Sequence, residues 1–244
     1  MDNLNTRPQT SSARDNRLVA LLDWDGTLSS GFMIVRWSQF LSRHGAVSAD
    51  LASDIEKTFG LYYSNSITHE ESSRRSAAIY AAYLRGLKRS EIEAQASSFV
   101  TEDRTQLYSF TTYILSYLAK RGIRPILISG APSEPLRLYS KMMGIGDLYA
   151  LELAGTGGLF AGHVKFNPGI QDTKLQIVKT IQSQIENSIV LSMGDAAADL
   201  PMFDASPTCI IVDNPGITTN GRCLHLNSNA HASERVIRFL EESL

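Results

Sequence analysis

No run in the sequence approaches the roughly 18 to 20 continuous apolar residues that a membrane span requires, which argues against a membrane protein. Cysteine is scarce: Cys209 and Cys223 are the only two, too few for a disulfide framework and in no zinc-binding spacing. They read as free thiols in a reducing compartment. Neither sign of charge is in marked excess, with 23 Lys and Arg against 25 Asp and Glu, so no basic field draws the chain to nucleic acid or an anionic membrane. A small molecule is the better partner. The histidines, His44, His69, His163, His225 and His231, are scattered and match neither a catalytic triad nor a metal spacing. Repeats and low-complexity tracts are missing as well, and the first sixteen residues lack the apolar core of a signal peptide. Residues 1–16 are therefore expected to be a mobile tail, with the cytoplasm as the default compartment.

At 244 residues with 43% hydrophobic content, the chain can bury one large core, with or without an inserted module. Short apolar runs ending in turns, LVALLD (18–23), IRPILIS (123–129), SIVLSMGD (188–195) and TCIIVD (208–213), read as buried parallel strands. Helical periodicity between them, as in KLQIVKTIQSQIE (174–186), predicts an α/β, doubly wound, Rossmann-like sheet. Residues 148–166 flank Gly-Thr-Gly-Gly with apolar runs and predict a β-hairpin. Residues 32–110 show no comparable strand but several helical segments: IVRWSQFLSRHG, HEESSRRSAAIYAAYLRGL and SEIEAQASSFV. A helical cap inserted after the first strand is expected there, with 17–31 and 111–244 forming the core. Gly86 is expected to end one cap helix and Ser90, with Glu93, to cap the next.

The first strand runs directly into Asp23-Trp24-Asp25-Gly26-Thr27. In an extended strand, residues i and i+2 share a face about 6 to 7 Å apart, so Asp23 and Asp25 would repel unless a cation or a turn intervened. Gly26 and Thr27 supply turn chemistry, and strand ends in open parallel sheets are where such folds place ligands. A second strand ends in Gly194-Asp195, with Asp199 four residues on. Asp199 could equally cap the following helix. Carboxylates of this kind suit Mg²⁺, a hard cation that takes oxygen ligands. Ser129-Gly130-Ala131-Pro132 offers a hydroxyl and backbone N–H groups to an anion. Lys174 stands near a helix start, where the helix dipole disfavours a cation unless an anion faces it; Lys165 and Lys179 are rivals.

These residues resemble the four ordered motifs of the haloacid dehalogenase superfamily of phosphohydrolases: Asp23 to Thr27, Ser129-Gly130, Lys174, and Gly194-Asp195 with Asp199. The resemblance spans about residues 17–213, and the cap position resembles that of the phosphoserine-phosphatase-like branch. It implies hydrolysis of a small phosphorylated metabolite through an aspartyl-phosphate. Asp23 would be the nucleophile and Asp25 the acid/base. Ser129, Gly130 and Lys174 would bind phosphate. Mg²⁺ would be held by Asp23, the Asp25 backbone carbonyl and Asp195, with Asp199 behind them. The dehalogenase branch generally lacks an aspartate at the place of Asp25. A phosphotransferase to an alcohol acceptor and a catalytically silent phospho-ligand binder are the alternatives. One departure stands out: phosphoserine phosphatases carry a Glu nine residues after the nucleophile, whereas this chain has Phe32 there, followed by Met33, Ile34 and Val35. That implies a different substrate, with core packing of the first cap helix as a competing reason for these residues. Arg74 and Arg75 are candidate cap cations, or else a solvated helix face.

Overall fold

The computed structural model describes residues 18–184, 189–229 and 231–244. The expected N-terminal tail, the last two residues of the helix expected over 174–186, and Ser188 of the strand expected over 188–195 lie outside the described residues.

A seven-stranded sheet with order β4-β3-β2-β1-β5-β6-β7 forms the centre. Its strands are β1 (Val19–Leu22), β2 (Arg124–Pro132), β3 (Asp147–Thr156), β4 (Leu159–Phe166), β5 (Ile189–Gly194), β6 (Thr208–Val212) and β7 (Arg222–Leu226). All neighbours pair in parallel except β3 and β4. β1 is wholly buried and central, as its unbroken apolar run requires. The chain leaves β1 towards β2 and β3, and later returns to β1's other side as β5. The crevice between the C-terminal ends of β1 and β5 is thus the topological switch point, where open α/β sheets bind ligands.

The expected hairpin is β3–β4, turning through Gly157 and Gly158, whose φ values of 59° and 79° suit a two-residue primed turn. Helix α7 (Gln171–Gln184) packs Ile177, Val178 and Ile181 under β1 and β2. On the same side, α8 (Leu200–Asp204) contributes Met202. α5 (Thr111–Lys120), α6 (Ser133–Met142) and the C-terminal α9 (Ala232–Ser243) pack in the main apolar cluster on the other face of the sheet.

Four helices lie between β1 and β2: α1 (Met33–Arg43), α2 (Asp50–Tyr63), α3 (His69–Leu84) and α4 (Arg89–Asp103). α2 goes beyond the helical segments read from sequence. Its apolar residues Leu51, Ile55 and Phe59 are nonetheless four apart, on one buried face. The insertion does not keep a separate core, because Trp37, Phe40 and Tyr80 join Leu22, Leu127 and Leu151 in one apolar cluster.

Two local expectations are corrected. Ser90 is not a cap: α4 begins at Arg89 after Lys88, with no side-chain cap, so Ser90 lies inside the first turn. The side-chain cap is instead at the start of α3, where the Thr68 hydroxyl accepts from Glu71 N–H at 3.1 Å. Gly86 follows the end of α3 with φ of 79°. The cysteines are not free thiols either. Parallel pairing of β6 with β7 sets Cys209 opposite Cys223 with Cα atoms 4.4 Å apart, and the two are bonded as a disulfide.

Candidate active site

β1 ends one residue before the first aspartate. Asp23 N–H still donates to Met193 O on β5 at 3.0 Å, after which the chain coils through Trp24 to Ser29. Thr27, Leu28 and Ser29 all donate backbone N–H groups to Trp24 O. Trp24 is buried and packs on Tyr139 with ring centroids 4.7 Å apart, fixing this coil in the core. The electrostatic problem posed by the two aspartates is therefore met by a turn: Asp25 is no longer in a strand, and its carboxylate accepts Met33 N–H, at the first residue of α1, at 2.7 Å. This arrangement gains from the positive end of the helix dipole. Both aspartates still border one cavity.

Gly26 is needed at the turn. Its φ is 70°, and a Cβ there would overlap Asp195 Oδ2. Gly26→Ala is expected to destabilise the protein by about 1–3 kcal/mol and to displace Asp195, read as a lower melting temperature.

Asp195 follows β5 as Asp23 follows β1, so the parallel register brings the two together. Thr27 Oγ1 donates to Asp195 Oδ1 at 3.4 Å, and Asn214 Nδ2 donates to its backbone carbonyl at 2.8 Å. Asp199, fully buried, accepts N–H groups of Asp195 and Ala196 on Oδ2 at 3.1 and 3.0 Å. It thus caps the turn and at the same time holds the backbone of Asp195. Gly194 makes room for it, since a Cβ there would lie 2.5 Å from Asp199 Cγ. Lys174 is only 2% exposed, in the first turn of α7; its Nζ donates to Asp23 Oδ1 at 3.0 Å and to Asp199 Oδ1. The facing anions expected from its placement are these two carboxylates. The rivals are elsewhere: Lys165 pairs with Glu152 at 3.3 Å, and Lys179 is exposed.

Ser129, near the end of β2, is buried at the same cavity and accepts Ala131 N–H on its hydroxyl at 3.3 Å. Gly130 sits against Gly169, whose Cα would be 2.8 Å from any Cβ at that position. Asp23, Asp25, Ser129, Gly130, Lys174 and Asp199 thus line one cavity at the switch-point crevice, with the Asp195 carboxylate close to those of Asp23 and Asp199. Arg74 and Arg75 do not join them; they pair along α3 with Glu70 and Glu71 at 2.7 and 2.6 Å and form an exposed face.

Carboxylate oxygens of Asp23, Asp195 and Asp199 lie within 4.8 Å of one another. Burial pushes Asp23 up to about 6, against the opposing pull of Lys174. Burial and then Asp199 raise Asp195 well above the usual carboxylate range. Burial also opposes the Lys174 ammonium, but Asp199 and Asp23 outweigh it and its pKa rises. Three clustered carboxylates against one ammonium leave excess negative charge, and an all-oxygen donor set of this kind fits a hard divalent cation such as Mg²⁺. The Asp25 carboxylate is outside the three-residue cluster, so any contribution to such an ion falls to its backbone carbonyl.

Gly169 and Ala196 complete the core side of the cavity, and the opposite wall comes from the insertion. Phe32, Ile34, Phe59, His69 and Ser73 border it. Phe32 packs on Phe59 with centroids 4.3 Å apart. Neither Phe59 nor His69 stood out in the sequence. Phe59 could have been found from the spacing of Leu51, Ile55 and Phe59; His69 carries no local signal and depends on α3 being folded over the crevice.

A family profile described as haloacid dehalogenase-like hydrolase matches residues 20–204. The chain belongs to that family. It is similar in fold to a substrate-bound phosphoserine phosphatase complex, with 18% identity, a TM-score of 0.64 and coverage of 93% of this chain and 99% of the other. It is also similar to a protein of unknown function from Bordetella pertussis Tohama I, with 18% identity, a TM-score of 0.67 and coverage of 86% and 98%. A third likeness is to a HAD family hydrolase from Salmonella enterica subsp. enterica serovar Typhi, with 17% identity, a TM-score of 0.63 and coverage of 93% and 72%. No curated protein matches the chain. No helix among the described residues is long and apolar enough to cross a membrane.

Proposed function

We propose that this protein is a Mg²⁺-dependent phosphomonoester hydrolase that acts on a small phosphorylated metabolite through an aspartyl-phosphate at Asp23. The observation that carries the reading is the convergence of Asp23, Asp25, Ser129, Gly130 and Lys174 on one cavity beside the Asp195 and Asp199 carboxylates. An Asp23 carboxylate oxygen bonds to phosphorus as the ester P–O bond breaks, and the departing oxygen takes a proton from the Asp25 carboxyl. Water then attacks the phosphorus of the aspartyl-phosphate and gives its proton to Asp25, which frees phosphate and restores the Asp23 carboxylate. Ser129 Oγ, Gly130 N–H and Lys174 Nζ hold the phosphoryl oxygens and spread their charge. Asp23, the Asp25 carbonyl and Asp195 would hold Mg²⁺, which would supply charge neutralisation for the approach of a carboxylate to a phosphate. Asp199 orients Asp195 and Lys174.

Residues 32–110 act as the cap over the core formed by 17–31 and 111–244, excluding water from the reaction. The cytoplasm is the compartment of this reading; the Cys209–Cys223 bond pulls the other way, because a reducing cytosol keeps thiols reduced.

The purified protein is expected to release inorganic phosphate from p-nitrophenyl phosphate with Mg²⁺ present and to stop when EDTA is added. Phosphorylated acceptor in place of free phosphate, with an alcohol present, would identify a phosphotransferase. No turnover across a broad panel of phosphate esters would leave the silent phospho-ligand binder.

A further inference from the structure

The core half of the cavity is charged and the insertion half is not. On the insertion side, Phe32, Ile34 and Phe59 form an apolar wall, and His69 and Ser73 face the same space. Phe32 is the hub of this wall, with ring centroids 4.3 Å from Phe59, 5.9 Å from Tyr62 and 6.2 Å from His69. These residues do more than fill the core, because Phe32 and Phe59 are shared between the inner cavity and an outer groove that also touches Val35 and Tyr63.

Among the described residues, the cations that line the cavity and its outer groove are committed, Lys174 to Asp23 and Asp199 on the core side and Arg36 on the insertion side. Arg36 donates to Asp103 at 2.6 Å and is also bound to Ser29 and to the Ser30 carbonyl. Arg74 and Arg75 are paired with glutamates on the exposed side of α3. Two serine protons are committed, Ser72 to His69 O at 2.7 Å and Ser76 to Ser73 O at 3.3 Å, whereas Ser73 accepts from Asn167 Nδ2 at 3.2 Å and keeps its own proton to donate. What remains on this wall, besides the Ser73 proton, is His69, whose buried Nδ1 has no partner among the described residues. Burial lowers the pKa of this imidazole, so it is neutral at pH 7 and offers a hydrogen bond without charge.

We infer that the leaving group of the substrate is an uncharged alcohol with a flat or apolar body, seated on Phe32 and Phe59 and carrying no charged group, only neutral polar atoms within reach of His69 or Ser73. An ammonium or carboxylate on the part of the alcohol seated against Phe32 and Phe59 would be stripped of water by phenyl rings, and the charged residues that share their outer groove are already engaged, Glu56 with Gln39 at 2.7 Å and Arg36 with Asp103, so its burial there is strongly unfavourable. The substrate class is therefore a phosphate monoester of a neutral aromatic or alkyl alcohol, not of an amino acid. This inference rests on the phosphatase reading above.

The test compares kcat/KM for benzyl phosphate and O-phosphoserine, both esters of primary alcohols, at saturating Mg²⁺. p-Nitrophenyl phosphate serves as the control for activity as such. Benzyl phosphate is expected to be preferred by at least about 10-fold. Phe32→Ala is expected to shrink that ratio by about 10-fold, and Phe59→Leu, a milder change, to shrink it in the same direction. A wild-type ratio below about 10, or failure to use either ester while p-nitrophenyl phosphate is hydrolysed, overturns the inference and leaves the phosphatase reading standing. A ratio untouched in both folded variants overturns the assignment of the wall. No phosphate release from any of the three overturns the phosphatase reading itself.

Discussion

Asp23→Asn is expected to lower phosphate release by about 10⁴-fold or more, the scale on which removal of an attacking group acts. An amide oxygen is too weak a nucleophile to form the acyl-phosphate, and no other side chain in the cavity occupies its place. Asp23 is fixed from below by its N–H bond to Met193 O and from the side by Lys174. The same substitution has an opposite effect on stability. Asp23 has its pKa raised by burial from 3.8 to about 6, so the fold disfavours the ionised form. That destabilisation is present above about pH 6, and is relieved as pH falls through the folded value towards 3.8. It amounts to about 2–3 kcal/mol at most, the part of the burial cost that the pairing with Lys174 leaves uncompensated. In EDTA at pH 8, Asp23→Asn is therefore expected to melt a few degrees above wild type. Adding Mg²⁺ should raise the wild-type melting temperature and leave the variant nearly unmoved. A variant that retains activity, or that gains as much stability from Mg²⁺ as wild type does, would remove Asp23 from both roles.

How much of this was visible in the chain depends on the range of the interactions. Asp23, Lys174, Asp195 and Asp199 could be picked out because each sits at the end of a strand or in the first turn of a helix, and buried strands ending in acids are conspicuous locally. The parallel register then brings them together without further specification. The coil after Leu22 was less visible. Read as a continuing strand, Asp23 and Asp25 clash; in the fold, Gly26 and the Trp24 carbonyl turn the chain and Met33 N–H takes the second carboxylate. Ser90 looked like a cap because Glu93 follows it at the right spacing, but Thr68 with Glu71 has the same spacing and is where the bond forms. α2 was hidden by its polar residues, although Leu51, Ile55 and Phe59 mark its face. The pairing of Cys209 with Cys223 requires β7, an edge strand whose alternating, partly exposed residues give a weak signal, and it requires the β6–β7 register. His69 belongs to the site only because the insertion closes over the crevice.

Asp25→Asn is expected to divide the reaction in two. With p-nitrophenyl phosphate the departing phenolate needs no proton, so Asp23 can still be phosphorylated; the second step, which needs a base for water, is slowed by about 10²–10⁴-fold. The signature is a burst of about one p-nitrophenol per enzyme followed by a slow phase, with acid-stable loss of free phosphate replaced by a labelled protein when the substrate carries ³²P. With an alkyl phosphate the first step is slowed too, and the burst disappears. The geometry supports one residue serving both steps. Met33 N–H occupies Oδ1 of Asp25 at 2.7 Å, which orients the carboxyl and leaves Oδ2 for the substrate. Burial, opposed by Arg36, pushes its pKa up to about 7, so acid and base forms coexist near neutrality. For an alkyl ester, wild-type kcat/KM should fall as pH rises past about 7 because the proton donor is lost, and Asp25→Asn should lack that limb. Equal steady-state rates for aryl and alkyl esters in Asp25→Asn, without a burst, would place the proton transfer on another group; His69 borders the same cavity, and His69→Gln would then be the variant that shows the burst.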